Sequence, residues 1–184
     1  MVDAEFLDHF SIYKLSEGET VESFDCGDAD LNDFILSDAP LYLHEKLAVT
    51  YTVLEKTNGN KVVAFFSLSN DRISISDFDS KTKYNRFSRR FNNHKRLKSY
   101  PAAKIGRLAV EVSTRGGNLG SYLLTFIKRY FTADNKTGCR FLTVDAYAAA
   151  IPFYLKNGFV PLNEEDEGDS TRLLYFDLND LEAN

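Results

Sequence analysis

From Lys104 to Phe131 the chain reads K-I-G-R-L-A-V-E-V-S-T-R-G-G-N-L-G-S-Y-L-L-T-F-I-K-R-Y-F. The opening residues carry Ile105, Val110 and Val112 in a strand-like pattern. The closing ones space Leu123, Phe126, Ile127, Tyr130 and Phe131 as one face of a helix. Between them, three glycines and an asparagine fall within Gly116–Gly120. A glycine turn from strand to helix aims backbone N–H groups and the positive end of a helix dipole at one spot, which suits a phosphate or pyrophosphate. It is not a P-loop, because Ser121 and Tyr122 follow Gly120. Nor is it a dinucleotide fingerprint, whose G-x-G-x-x-G spacing these glycines miss.

Upstream, Phe10–Leu15 reads as a first strand. Asp28 is an N-cap for a helix carrying Leu31, Phe34 and Ile35, and Pro40 breaks or restarts that helix before it ends near Lys46. Ala48–Glu55 and Lys61–Ser69 are strand patterns joined by an Asn58-Gly59 hairpin signal. Downstream, Arg140–Ala146 is a buried strand and Ala148–Asn157 a short helix, with Pro152 in its first turn and Gly158 as its stop. Phe159–Leu162 and Thr171–Leu178 are strands flanking an acidic turn. The order predicts an α/β chain with helices on both faces of a sheet.

The 184 residues, 43% hydrophobic, are enough for one domain spanning 1–184. No apolar run approaches a membrane span, and the N-terminus has no signal-like pattern. Cys26 and Cys139 stand far apart without a histidine ligand pattern, which predicts reduced thiols, no metal and a cytoplasmic setting. Net charge is −5, but Lys81–Arg107 holds ten Lys/Arg and no acid, leaving −15 on the rest. Its aromatics, Tyr84, Phe87, Phe91 and Tyr100, interleave with the cations. We read the stretch at about 80–102 as a basic insertion, either solvated or facing an anion such as RNA or the phosphates of a cofactor.

Arg115-Gly116-Gly117-Asn118-Leu119-Gly120 resembles the R/Q-x-x-G-x-G/A signature of the GNAT acetyl-CoA-dependent N-acetyltransferases, with Asn118 where glycine is usual. Asn tolerates a left-handed backbone better than most residues, so the turn survives the change. Ala149–Phe159 is similar to the A-x-x-F-Y-x-x-x-G-F segment after the family's fifth strand. Phe24–Phe34 and Ile105–Val110 are similar to segments of the subgroup that contains tRNA-acetylating toxins.

The resemblance implies a GNAT fold: a mixed, mostly antiparallel twisted sheet whose fourth and fifth strands splay around acetyl-CoA. It implies that Arg115, Gly116, Gly117, Asn118, Leu119, Gly120 and Ser121 hold the pyrophosphate. The backbone of Leu108, Ala109 and Val110 would pair with pantetheine. Tyr154 takes the general-acid position, with Tyr147 as backup, and Glu111 is the nearest candidate base. A phenol stays protonated at neutral pH and can serve the departing thiolate. The implied activity is acetyl transfer to a primary amine by direct attack. Three alternatives stay open for what the site serves: a small or protein amine, the α-amine of an aminoacyl-tRNA in a toxin–antitoxin module, or acyl-CoA binding without turnover. Implied partners are tRNA along Lys81–Arg107 (with Arg89 and Arg90 as contacts), a ribbon-helix-helix antitoxin and a second copy of the chain.

Overall fold

The computed structural model describes residues 4–91, 97–133, 137–164 and 167–181. A short helix, α1 (Ala4–His9), precedes β1 (Phe10–Lys14); its pattern did not stand out in the sequence. Asp28 caps α2 (Ala29–Asp33), its carboxylate accepting from the Leu31 N–H at 3.0 Å. One π turn, Phe34–Asp38, then leads into α3 (Ala39–His44). The Ala39 N–H reaches back five residues to Phe34, and Pro40, having no N–H, cannot continue a regular ladder. β2 (Val49–Glu55) and β3 (Lys61–Ser74) pair antiparallel, and Gly59 and Asn60 take the left-handed backbone in the connecting loop.

α4 (Lys81–Ser88) is capped by the Ser80 hydroxyl and followed by β4 (Ser99–Val110). The glycine turn leads to α5 (Leu119–Thr132). After it come β5 (Phe141–Tyr147), α6 (Ile151–Lys156), β6 (Val160–Pro161) and β7 (Thr171–Asp177). The seven strands take the order β1-β2-β3-β4-β5-β7-β6. β1 with β2, β2 with β3, β5 with β7 and β6 with β7 pair antiparallel, and β4 with β5 is parallel. That parallel ladder covers only Ala102–Lys104 against Phe141–Thr143, whereas β4 runs on to Val110.

The chain packs as two compact units, residues 1–69 with 105–130 and residues 70–104 with 131–184. In the first, Leu15, Phe24, Cys26, Phe34, Ile35, Phe65 and Ala109 form a buried cluster. Leu123 and Ile127 of α5 are fully buried, as the helical spacing predicts, with Leu124 beside them, whereas Tyr130 of that face is exposed. In the second, the core is aromatic: Tyr84, Phe87, Phe91 and Tyr100 are all buried with Phe141 and Tyr175. Ring contacts such as Phe87–Phe91 at 5.0 Å and Phe91–Tyr100 at 5.1 Å hold it together. The aromatics of the basic segment are therefore core residues, and the expectation of a wholly solvated stretch is corrected here. Residues 92–96 of that segment, and 165–166 of the acidic turn, lie outside the described residues.

Candidate active site

In the first unit, β4 delivers its last residues to a short 3-10 turn, Val112–Thr114, and then to the glycines. Gly116 has φ +96° and Asn118 φ +58°, both left-handed, so Asn118 occupies the conformation its side chain tolerates. Gly117 does not need positive φ, and a Cβ there would meet only the Thr114 carbonyl at 4.0 Å. The Asn118 carbonyl accepts the first helical bond, from Tyr122 at 3.1 Å. Leu119, Gly120 and Ser121 thus stand in the first turn of a fourteen-residue helix, where N–H groups have no intrahelical partner. Arg115–Asn118 are exposed, and Leu119 is the buried anchor. On β4, Leu108 and Val110 are half-buried and Ala109 is core.

The approach to this turn is braced by the Asp25-Cys26-Gly27 corner. The Asp25 carbonyl accepts from Val112 N–H at 2.9 Å, and the Cys26 carbonyl accepts from the Arg115 guanidinium. Asn32 locks the corner from within. Its oxygen accepts from Cys26 N–H and its amide donates to Asp25 Oδ1, both at 2.9 Å. Asp25 Oδ1 also accepts from Gly27 N–H at 2.8 Å. These hydrogen bonds, with the Arg115 charge, hold the Asp25 carboxyl below its ordinary value. Gly27 is left-handed at φ +74°, which explains glycine there. The F-D-C-G-x-x-x-L-N pattern is thus a brace for the glycine turn. Arg115, which the motif places in the pyrophosphate loop, spends a guanidinium nitrogen on that brace.

Glu111 is not a solvated strand end. It is buried, at 7% exposure, with Lys61 Nζ 2.5 Å from Oε1 and the Ser113 hydroxyl donating to Oε2 at 2.7 Å. Burial alone would raise its carboxyl, but the Lys61 and Ser113 hydrogen bonds and the Lys61 charge outweigh it, leaving the group below the ordinary carboxylate range. A carboxylate so engaged is a weak proton acceptor. Sequence reasoning did not find Lys61 and Ser113 as its partners.

In the second unit, α6 ends in a two-bond cap. Phe159 N–H reaches the Tyr154 carbonyl at 3.1 Å and Gly158 N–H the Leu155 carbonyl at 3.0 Å, with Gly158 left-handed at φ +81°. That geometry folds the buried Phe159 ring back against Tyr154, at 5.4 Å. Tyr154 is 6% exposed, and burial pushes its phenol strongly upward. No described residue hydrogen-bonds its hydroxyl. It is a protonated donor held in an apolar setting. Tyr147 is 52% exposed at the end of β5, a poorer place for a positioned proton.

Two of the basic-segment contacts expected from sequence differ in kind. Both are exposed, but Arg90 also lies over the Phe87 ring at 5.1 Å and donates to the Tyr175 hydroxyl at 2.6 Å. Among the described residues no group of three or more His, Cys, Asp or Glu is arranged for a metal, and no helix is long and apolar enough to cross a membrane.

Residues 81–161 match the family model of the acetyltransferase (GNAT) domain, a range that begins in the basic segment and includes the glycine turn and Tyr154. Among solved structures, a tyrosine-to-phenylalanine mutant of KacT is 22% identical, with 95% of this chain and 98% of that one covered and a TM-score of 0.76. A mutant of the toxin AtaT, bound to the C-terminus of the antitoxin AtaR and acetyl-CoA, is 23% identical over 96% of this chain and 98% of that one, with a TM-score of 0.72. AtaT complexed with acetyl-methionyl-tRNAfMet is 24% identical over 95% and 98%, with a TM-score of 0.74. At these identities the likeness establishes the fold. Residues 81–161 thus match the acetyltransferase (GNAT) domain, and the chain as a whole has the fold of these proteins.

Proposed function

We propose that this protein acetylates the α-amine of an aminoacyl-tRNA, as the toxin of a toxin–antitoxin pair. The observation that carries the choice of acceptor is the engaged Glu111. With its carboxylate tied to Lys61 and Ser113, the site has no ready base on β4. A lysine amine, with pKa about 10.4, is almost entirely protonated at neutral pH and needs one; an α-amine, at about 7.7–8.0, is already free in an appreciable fraction. The AtaT complex with acetyl-methionyl-tRNAfMet and the run of cations from Lys81 support the same reading.

In this reading the first-turn N–H groups of α5 and the glycine turn hold the pyrophosphate, while the outer edge of Leu108–Val110 offers backbone groups to pantetheine. The amine nitrogen attacks the thioester carbonyl carbon and a tetrahedral oxyanion forms. The C–S bond then breaks, the sulfur takes the Tyr154 proton, the nitrogen releases one to solvent, and Tyr154 takes one back from solvent. An antitoxin with a C-terminal segment that docks on the enzyme, as in the AtaT–AtaR structure, is the natural regulator, with a ribbon-helix-helix DNA-binding half. Such a system places the protein in the cytoplasm.

The test is transfer of labelled acetyl from acetyl-CoA to a panel of charged tRNAs, with free amino acids and a lysine peptide in parallel. The reading predicts label on the aminoacyl group of at least one charged tRNA. Label only on the lysine peptide or a free amine would contradict it.

A further inference from the structure

On the second unit, α4 and the chain at Pro161–Glu164 border an open hollow of about 630 Å³. Four cations line it, Lys83, Arg86, Arg90 and Arg172, against two carboxylates, Glu164 and Glu167. Its floor is aromatic, from Phe78, Phe87 and Tyr175. Two of the guanidinium groups are already oriented. Arg90 lies over the Phe87 and Tyr175 rings at 5.1 and 5.7 Å, and Arg172 donates to the Asn163 carbonyl at 3.0 Å. Asn163 is itself fixed by donating to the Asp77 carbonyl at 2.6 Å. Lys83 pairs with Asp79 at 2.7 Å, a solvent-exposed i,i+4 pair of the kind that contributes little. Arg86 is exposed, with no ion-pair or hydrogen-bond partner among the described residues.

Fixed cations above buried rings match neither a simple anion, which has no use for the rings, nor an apolar ligand, which has no use for the charge. They match a phosphate joined to a flat base, taken by guanidinium contacts and by stacking on the guanidinium planes and the half-buried Phe78 ring, while Phe87 and Tyr175 lie beneath as core. We propose that this hollow seats a phosphorylated nucleotide of an unpaired RNA strand, which rests on the aminoacyl-tRNA reading above. The nucleotide end of acetyl-CoA offers the same chemistry. RNA is favoured because the hollow is open and α4 continues it with Lys81, in a run where no acid intervenes until after Arg107.

The experiment uses the full chain, Arg86→Glu, and the double variant Arg86→Glu/Arg172→Gln, each checked for a wild-type melt. A fluorescein-labelled single-stranded RNA ending in CCA is titrated by anisotropy between about 50 and 200 mM salt. The double variant should bind roughly tenfold more weakly, with the log–log salt slope shallower by about one, at unchanged acetyl-CoA affinity. Should the double variant not fold, Arg86→Glu alone should show a roughly threefold loss and the same direction of slope.

Unchanged RNA affinity and slope in a folded variant would overturn the proposal. So would wild-type RNA binding that does not weaken with salt. Weakened acetyl-CoA binding with unchanged RNA binding would overturn it in favour of the cofactor's nucleotide. Tighter dependence of an acidic antitoxin peptide than of RNA on these arginines would overturn it in favour of the protein partner. Wild-type acetylation of charged tRNA that these substitutions leave untouched sinks the hollow alone. Variant-sensitive RNA binding without acetylation of any charged tRNA sinks the choice of acceptor alone.

Discussion

The glycine turn and the Tyr154 helix are opposite solutions to placing a chemical group. The turn is exposed from Arg115 to Asn118, and what it offers is backbone N–H. Beyond Arg115, whose guanidinium joins the brace, its side chains are replaceable, as Asn118 shows by standing left-handed where the family signature has glycine. Its shape is imposed from outside, by the Asp25–Gly27 corner and Asn32. Tyr154 is buried, and in the proposed function it offers a side-chain proton from apolar surroundings that fix its ring. A six-residue helix achieves this because its own C-terminal cap folds Phe159 onto it. Backbone chemistry is held by distant braces, and side-chain chemistry by a local motif.

The contrast breaks most visibly at the tyrosine. Tyr154→Phe keeps the ring and removes only the proton, so turnover should fall about 10²–10⁴-fold with little change in acetyl-CoA affinity or melting temperature. Steady-state kinetics beside calorimetry would show it; full activity would assign the proton to water or Tyr147.

The brace should answer with stability before chemistry. Asn32→Ala strands the Cys26 N–H, a group nearly removed from solvent, and one Asp25 oxygen loses a donor. Urea unfolding should lose about 1–3 kcal/mol, and the surviving folded protein should bind acetyl-CoA more weakly. Asn32→Asp keeps the acceptor and should lie between the two. If Asn32→Ala lowers stability but leaves the acetyl-CoA constant alone, the corner is only part of the core.

The smallest effect lies at Glu111. Its carboxyl is depressed in the folded protein, so the stability it contributes is present above the ordinary value of 4.5 and is lost as pH falls below it. Glu111→Gln should therefore flatten the acid limb of stability against pH while changing turnover on an α-amine little. A collapse of turnover in Glu111→Gln would restore it as the base.

What could be read in the sequence follows the same division. Gly158, Phe159 and Tyr154 sit within six residues, so the capped helix was legible as a motif, and Asn118 announced its own backbone. The brace was visible only as a pattern, because Arg115 and Cys26 meet from 89 positions apart. The burial of Glu111 was hidden for a similar reason, since Lys61 comes from another strand. The aromatics of Lys81–Pro101 misled in the opposite sense. Ten cations without an acid read as a solvated surface, but Tyr84 and Phe87 lie three apart on α4 and turn inward, leaving Lys83 and Arg86 outside. The same polarity concealed that β4 begins at Ser99 rather than near Lys104.

The most direct test of the account is calorimetric titration of acetyl-CoA into the wild-type protein and Gly117→Glu. A side chain at Gly117 meets little in the fold, with only the Thr114 carbonyl at 4.0 Å, and φ there is not left-handed, so the variant should fold and melt like wild type. Its carboxylate would, however, place bulk and like charge where the proposed function seats pyrophosphate on backbone N–H groups. The account predicts affinity weakened by roughly a hundredfold or more, the size of about 3 kcal/mol. An unchanged dissociation constant in the folded variant would remove the glycine turn from the acetyl-CoA site and contradict the account.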